Sequence, residues 1–451
     1  MEQRQENKMG TWPIPKLLVS MSLPIMVSML VQAFYNVVDS IFVARVNENA
    51  LTAVSLAFPV QSLMIAVSVG TAVGVNALLS RKLGEKNFED ANMVAVNGFF
   101  LAVVSSLVFA LFGIFGVKTF FSAFVAPGEV MDMGIAYTSI VCTCSFGVFI
   151  SIIGERLLQA TGITVYSMLA QMAGAITNII LDPIMIFGLL GFPKMGVAGA
   201  AAATIVGQFV GMGLNLYFNF KKNKEITISF KGFKPNKRII LEIYRIGLPS
   251  ICMQAIGSVM TFGMNKILIL FSETAVTVFG LYFKLQSFIF MPLLGVTNGM
   301  VPIVGYNFGA RNKQRILGTM KMALIMATCI MTVGTIIFWA MPEFMLTTFF
   351  DASETMVAIG APALRIISTH FIIAATAIVL SSAFQALGKG VYSLIMSFMR
   401  QLVVLLPVAW FMGKFVSLNA VWLAFPIAEV MSVAVALILF RRIYNKQIKH
   451  M

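Results

Sequence analysis

Two aspartates set deep in apolar sequence, Asp39 and Asp182, are the residues of this chain best suited to do chemistry. A charge in a membrane-spanning helix costs at least a few kcal/mol, so each needs a partner, water or a task. Asn178 precedes Asp182 by one helical turn and shares its face. Thr204 lies one to two turns into the next apolar segment. Two carboxylates, a carboxamide and a hydroxyl offer oxygen ligands for a small hard cation, with Na⁺ at Asp39, Asp182 and Asn178 as one option, or a seat for a proton shared by the acids. The bland alternative is that the aspartates cap a broken helix or bind backbone N–H groups. Pro183, directly after Asp182, speaks for it by predicting local irregularity.

Other ionisable groups are sparse in the apolar segments. Glu155 and Arg156 are adjacent, a pattern that serves a function or merely orients a helix end. In the second half the deep groups are mostly basic, namely Lys266, Lys284, Arg365, His370 and Arg400, with Glu429 the main acid. His370 fits a proton relay or a hydrogen-bonded structural imidazole. Enzyme chemistry finds no footing: the chain lacks His-Glu-x-x-His, a Gly-x-Ser-x-Gly elbow and a Walker A loop, and holds only 2 histidines. No cofactor is expected. Cys142, Cys144, Cys252 and Cys329 have no metal-ligand spacing and read as packing residues.

Long apolar segments must position these groups. With 59% hydrophobic and 11% charged residues and a mean hydropathy of +0.90, the chain has more apolar surface than a soluble domain could bury, so lipid must cover the rest. Segments of membrane-crossing length run approximately over 17–44, 51–79, 93–117, 134–160, 165–190, 196–220, 240–270, 276–304, 316–341, 356–387, 391–413 and 418–440. The expected fold is an all-α polytopic membrane protein, with twelve transmembrane helices in two pseudo-symmetric six-helix lobes around a central cleft. Its parts are an N-terminal tail (1–16), an N-lobe (17–220), a basic linker (221–239), a C-lobe (240–440) and a C-terminal tail (441–451). The net charge of +14 is spread over alternate loops rather than gathered in one patch, which excludes a nucleic-acid surface and instead places both termini in the cytoplasm. The loops on the other side hold only Arg45, Lys118, Lys194 and Lys414.

The halves are repeats. Leu56, Phe58, Gln61, Ser62, Gly70, Gly74, Gly84 and Asn87 recur 225 residues later as Leu281, Phe283, Gln286, Ser287, Gly295, Gly299, Gly309 and Asn312. Pro24 and Pro249 keep the same offset. Each proline removes a backbone donor from its helix, which makes a hinge or a fixed bend. Gly70-x-x-x-Gly74 and Gly295-x-x-x-Gly299 read as close helix-packing faces. Duplicated membrane bundles are the usual build of secondary transporters.

The stretch from Asn178 to Pro183, followed by Gly196-Val-Ala-Gly199, resembles the helix-five to helix-six signature of the multidrug and toxic compound extrusion (MATE) family. Ser22-Leu23-Pro24 with Asp39, Arg81-x-x-Gly84, Gln159-Ala160-x-Gly162 and the run from Val421 to Pro426 extend the resemblance over essentially the whole chain. It implies an antiporter of the cell membrane that exports amphipathic organic cations in exchange for H⁺ or Na⁺. Cation coupling would fall to Asp39, Asp182, Asn178 and Thr204, with Pro24 as the hinge. Tyr35, Asn36, Gln61, Gln286, Met260 and Phe283 are candidates for the substrate cleft. The expected partners are small organic cations or drugs and membrane lipid, not nucleic acid, and the expected state is a monomer. A second reading is a lipid-linked precursor flippase of the same superfamily, with Lys266, Lys284 and Arg365 holding an anionic headgroup.

Overall fold

In lipid a backbone must satisfy its N–H and C=O groups within the segment, and the apolar runs accordingly fold as long helices. The computed structural model describes residues 6–451; residues 1–5 of the expected N-terminal tail lie outside the described residues. Helices α1 (Ile14–Ala44), α2 (Glu48–Gly84), α3 (Phe88–Leu111), α4 (Glu129–Thr143), α5 (Phe146–Ala160), α6 (Thr164–Phe187) and α7 (Val197–Lys221) make up the first half. The second comprises α8 (Lys237–Leu268), α9 (Glu273–Gly309), α10 (Lys313–Ala340), α11 (Glu354–Ser368), α12 (Phe371–Ala386), α13 (Gly390–Phe398) and α14 (Ala424–Ile443). No strand occurs among the described residues.

Among the described residues ten helices are long and apolar enough to cross a membrane, and counting each of two bent pairs as one span gives twelve. The bent pairs are α4 with α5, at 45°, and α11 with α12, at 50°. The expected spans 134–160 and 356–387 are therefore broken rather than straight. At the first break the Ser145 hydroxyl leaves the local ladder and donates to the Ser106 carbonyl at 3.3 Å. At the second, Nδ1 of His370 lies 2.5 Å from the Ile367 carbonyl. By contrast α1 runs unbroken through Pro24, and α6 through Pro183. The irregularity expected at Pro183 does not interrupt α6, because a proline removes only one bond from a helix held on both sides by others.

The repeat is visible in local conformation. Asn47 caps α2 by accepting from the Ala50 N–H, and Ser272 caps α9 by accepting from Ala275. Asn87 and Asn312 cap the next helices in the same way. The residues just before these two caps, Lys86 and Arg311, both adopt φ 55°.

The described residues divide into two compact units, one built on Val27–Leu248 and one on Lys8–Met26 with Pro249–Met451. This departs from lobes drawn as 17–220 and 240–440, because the leading segments of α1 and α8 are exchanged. Glycine packing explains the exchange. In the first unit α8 begins against α2: a Cβ at Gly74 would collide with the Ile243 carbonyl, and one at Gly247 would stand 2.8 Å from the Gly70 carbonyl. In the second unit α1 begins against α9, where a Cβ at Gly295 or Gly299 would collide with Met26 or Ser22. Both Gly-x-x-x-Gly faces thus serve as close-packing surfaces, each for the leading helix of the opposite half.

Residues 222–236, between α7 and α8, form no helix, yet they are strapped to α3. The Thr227 N–H donates to Asn92 Oδ1 at 2.7 Å and the Asn236 N–H to Asn97 Oδ1 at 3.0 Å. The rings of Phe230 and Phe233 pack on Phe99 and Phe100. Asp90, in the first turn of α3, binds Arg238 at 2.6 Å and Lys82 at 3.1 Å.

Candidate functional site

In the first unit, α1, α6 and α7 supply Asp39, Asn178, Asp182 and Thr204. A Cβ at Gly207 would stand 2.7 Å from the Gly174 carbonyl and 3.1 Å from the Asn178 Cβ, so α7 rests directly on the α6 backbone. That approach sets Thr204 beside Asn178. The Asn178 Nδ2 lies 3.3 Å from Asp182 Oδ1 and 3.3 Å from Thr204 Oγ1. Rotating the amide pairs both of its ends: Nδ2 donates to Asp182 Oδ2 at 3.3 Å and Oδ1 accepts from the Thr204 N–H at 3.1 Å.

Asp39 of α1 reaches this group from the other side, with its carboxyl within hydrogen-bonding reach of Asp182. Asp182 is fully buried, Asn178 nearly so, and one oxygen of Asp39 is buried without a donor. Because α6 is continuous, Asp182 caps no helix end. Two carboxyls this close, one fully buried and the other half-buried, favour a positive charge between them, whether a proton or a metal cation. The donor set fits either: carboxylate, amide and hydroxyl oxygens suit Na⁺, and an orphaned carboxylate oxygen facing a second carboxyl suits a proton.

Two tyrosines flank the acids. Tyr35, one turn before Asp39, and Tyr137 of α4 both stand within electrostatic reach of Asp39 and Asp182. Gln61 of α2 donates to the Tyr137 hydroxyl at 2.9 Å. Tyr137 was not legible as a site residue, since an uncharged phenol in an apolar span carries no charge signal; its nearest clue was the repeated Gln61.

The remaining candidates lie elsewhere. Asn36 is exposed, and its carbonyl accepts the Ser40 hydroxyl at 2.8 Å. Gln286, Met260 and Phe283 belong to the second unit. Met260 is buried, Gln286 is half-buried, and the Phe283 ring packs edge-on against Phe279 at 4.7 Å. Glu155 and Arg156 are bridged by Gln159, whose amide donates to Glu155 at 2.8 Å and accepts from Arg156 at 2.9 Å. His370 sits at the α11–α12 break with its ring among Phe290, Phe371 and Phe425. The basic residues of the second half do not gather: Lys266 lies over the Phe262 ring, Lys284 is exposed, and Arg365 is paired with Glu343 at 2.9 Å.

Comparison with known proteins agrees with this architecture. The chain is 26% identical over 434 residues to the multidrug export protein MepA of Staphylococcus haemolyticus (strain JCSC1435), covering 96% of this chain and 94% of that one. Its structure superposes on an outward-facing multidrug resistance MATE family transporter of the MOP superfamily with a TM-score of 0.93, at 26% identity and over 100% of both chains. It is also similar to a MOP superfamily transporter from Pyrococcus furiosus whose binding pocket has reversed polarity, with a TM-score of 0.91, 26% identity and 98% of each chain covered. The MatE family matches residues 24–184 and 249–411, one block in each repeat, and the chain belongs to that family.

Proposed function

We propose that this protein is a secondary active antiporter of the cell membrane that exports amphipathic organic cations in exchange for H⁺ or Na⁺. The observation carrying this reading is that the Asp39 and Asp182 carboxyls lie within hydrogen-bonding reach of each other, beside Asn178 and Thr204. The names of the relatives, multidrug export protein and multidrug resistance transporter, support the direction and the breadth of substrate. The charge of the short loops supports a multi-pass topology with both termini cytoplasmic.

In this mechanism the inward-moving ion occupies the acid pocket and favours one arrangement of the protein, while the organic cation favours another. Each ligand acts only through its difference in affinity for the two. Tyr35 and Tyr137 stand near the acids, and the Gln61 amide fixes the Tyr137 phenol. The flippase alternative draws no support from Lys266, Lys284 and Arg365, because Arg365 is already neutralised by Glu343.

Efflux of a fluorescent cation such as ethidium from energised cells tests the reading. Asp39→Asn, inserted at the wild-type level, should abolish energy-dependent efflux. Wild-type efflux from that variant would remove Asp39 from the mechanism.

A further inference from the structure

The second unit contains a polar cavity that the acid pocket of the first does not explain. Its volume is about 190 Å³, and its wall carries five serines, Ser381, Ser382, Ser393, Ser397 and Ser432, together with Arg400. The rest of the lining includes the apolar side chains of Met253, Leu294 and Met396. Arg400 lies in the π-helical stretch Met399–Leu405 that continues α13, a distortion common where a side chain must leave its regular ridge.

Arg400 is tethered from behind. Its Nη1 stands 3.3 Å from Oε2 of Glu429, which is buried on α14 and is not part of the cavity wall. The other carboxylate oxygen of Glu429 is buried without a hydrogen-bond partner. A guanidinium has five N–H donors in a planar fork, and a single contact to Glu429 leaves donors for the cavity. The Gln401 amide donates to the Ser397 hydroxyl at 2.8 Å, which leaves that hydroxyl's own proton free to point at a ligand. Among the described residues no acid lines the cavity, so the wall presents one cation, the Gln385 amide and a set of hydroxyls, of which that of Ser393 already donates to the Ser381 carbonyl at 2.7 Å.

We infer that this cavity receives the carboxylate-bearing aromatic end of an amphipathic zwitterion. The inference rests on the efflux reading and narrows its substrate class. The fork of Arg400 matches a carboxylate bidentately, the Ser397 hydroxyl supplies a further donor, and the apolar side chains face the ring. A dianionic phosphate fits less well, because only one cation is present and Glu429 already claims part of it. The cavity is smaller than the roughly 300–1,000 Å³ of a drug-sized pocket, so it takes one end of a ligand rather than the whole. Glu429 competes with the ligand for Arg400, so neutralising it should strengthen carboxylate binding.

A matched pair of dyes tests this: a rhodamine with its free benzoate carboxylate and the methyl ester of the same dye. Binding to the purified full chain is followed by fluorescence polarisation, and export is followed in cells. Arg400→Gln should weaken binding of the free acid about ten- to a hundred-fold while leaving the ester within about twofold. Arg400→Lys, which keeps the charge but not the fork, should also weaken only the acid. Glu429→Gln should tighten the acid and not the ester. Equal loss of both dyes in the two arginine variants, or no loss of either, overturns the inference. If the wild type exports the ester and Arg400→Gln exports the acid normally, this site fails while the antiporter reading stands. If the wild type exports neither dye nor ethidium, the antiporter reading falls and takes this site with it.

Discussion

The amide of Gln61 donates to the Tyr137 hydroxyl at 2.9 Å, tying α2 to α4 beside the two aspartates. Tyr137→Phe removes one hydrogen bond, worth about 0.5–1.5 kcal/mol, and keeps the ring. The variant should melt only a few degrees below wild type. Its apparent affinity for the driving ion should change by about two- to tenfold, read from efflux against external pH and Na⁺. Unchanged ion dependence would show that the phenol only packs.

The contact of Gly207 with the Gly174 backbone makes the α6–α7 seam the most exacting packing near the site. Gly207→Ala has to push the helices apart at Asn178, an overpacking that costs about 1–3 kcal/mol. A lower melting temperature in detergent should be accompanied by weaker ion coupling. Ala substitution at Gly213, where a Cβ meets nothing within 4 Å, is the control and should change neither.

Pro24 and Pro249 stand next to the points where α1 and α8 pass from one unit to the other. Replacing either with Ala restores a backbone donor and stiffens its helix. Each variant should keep its stability and its KM for ethidium while kcat falls several-fold. A wild-type kcat in both would reduce the paired prolines to static packing.

Asp90 is buried between Lys82 of α2 and Arg238 of α8, and so ties to α3 the point where the non-helical stretch runs into α8. Asp90→Asn weakens two charged hydrogen bonds and should cost about 1–3 kcal/mol. Thermal unfolding should show the loss, and proteolysis within 222–236 should become faster.

Much of this molecule was legible in its sequence because lipid allows so few solutions. Twelve spans follow from apolar length, and the Leu56 to Asn87 recurrence announces the two repeats. Asp39 and Asp182 stood out because intramembrane acids are costly, whereas their approach to each other shows only in the fold. The exchange of leading segments was hidden: Gly70 and Gly74 signal that a helix packs closely, but not that it is the start of α8. The bends at 144–145 and 369–370 were equally silent, since hydropathy averaged over a span cannot register a 45° or 50° break. Gln159 reads as one more polar residue until the fold places it between Glu155 and Arg156.

The most direct test of the central claim is ethidium transport in proteoliposomes with a pH gradient or a Na⁺ gradient imposed separately, comparing wild type with Asp182→Asn. The account expects one of the two gradients to drive wild-type transport, and neither to drive the variant, which should still bind ethidium. Gradient-driven transport by Asp182→Asn at the wild-type rate would contradict it.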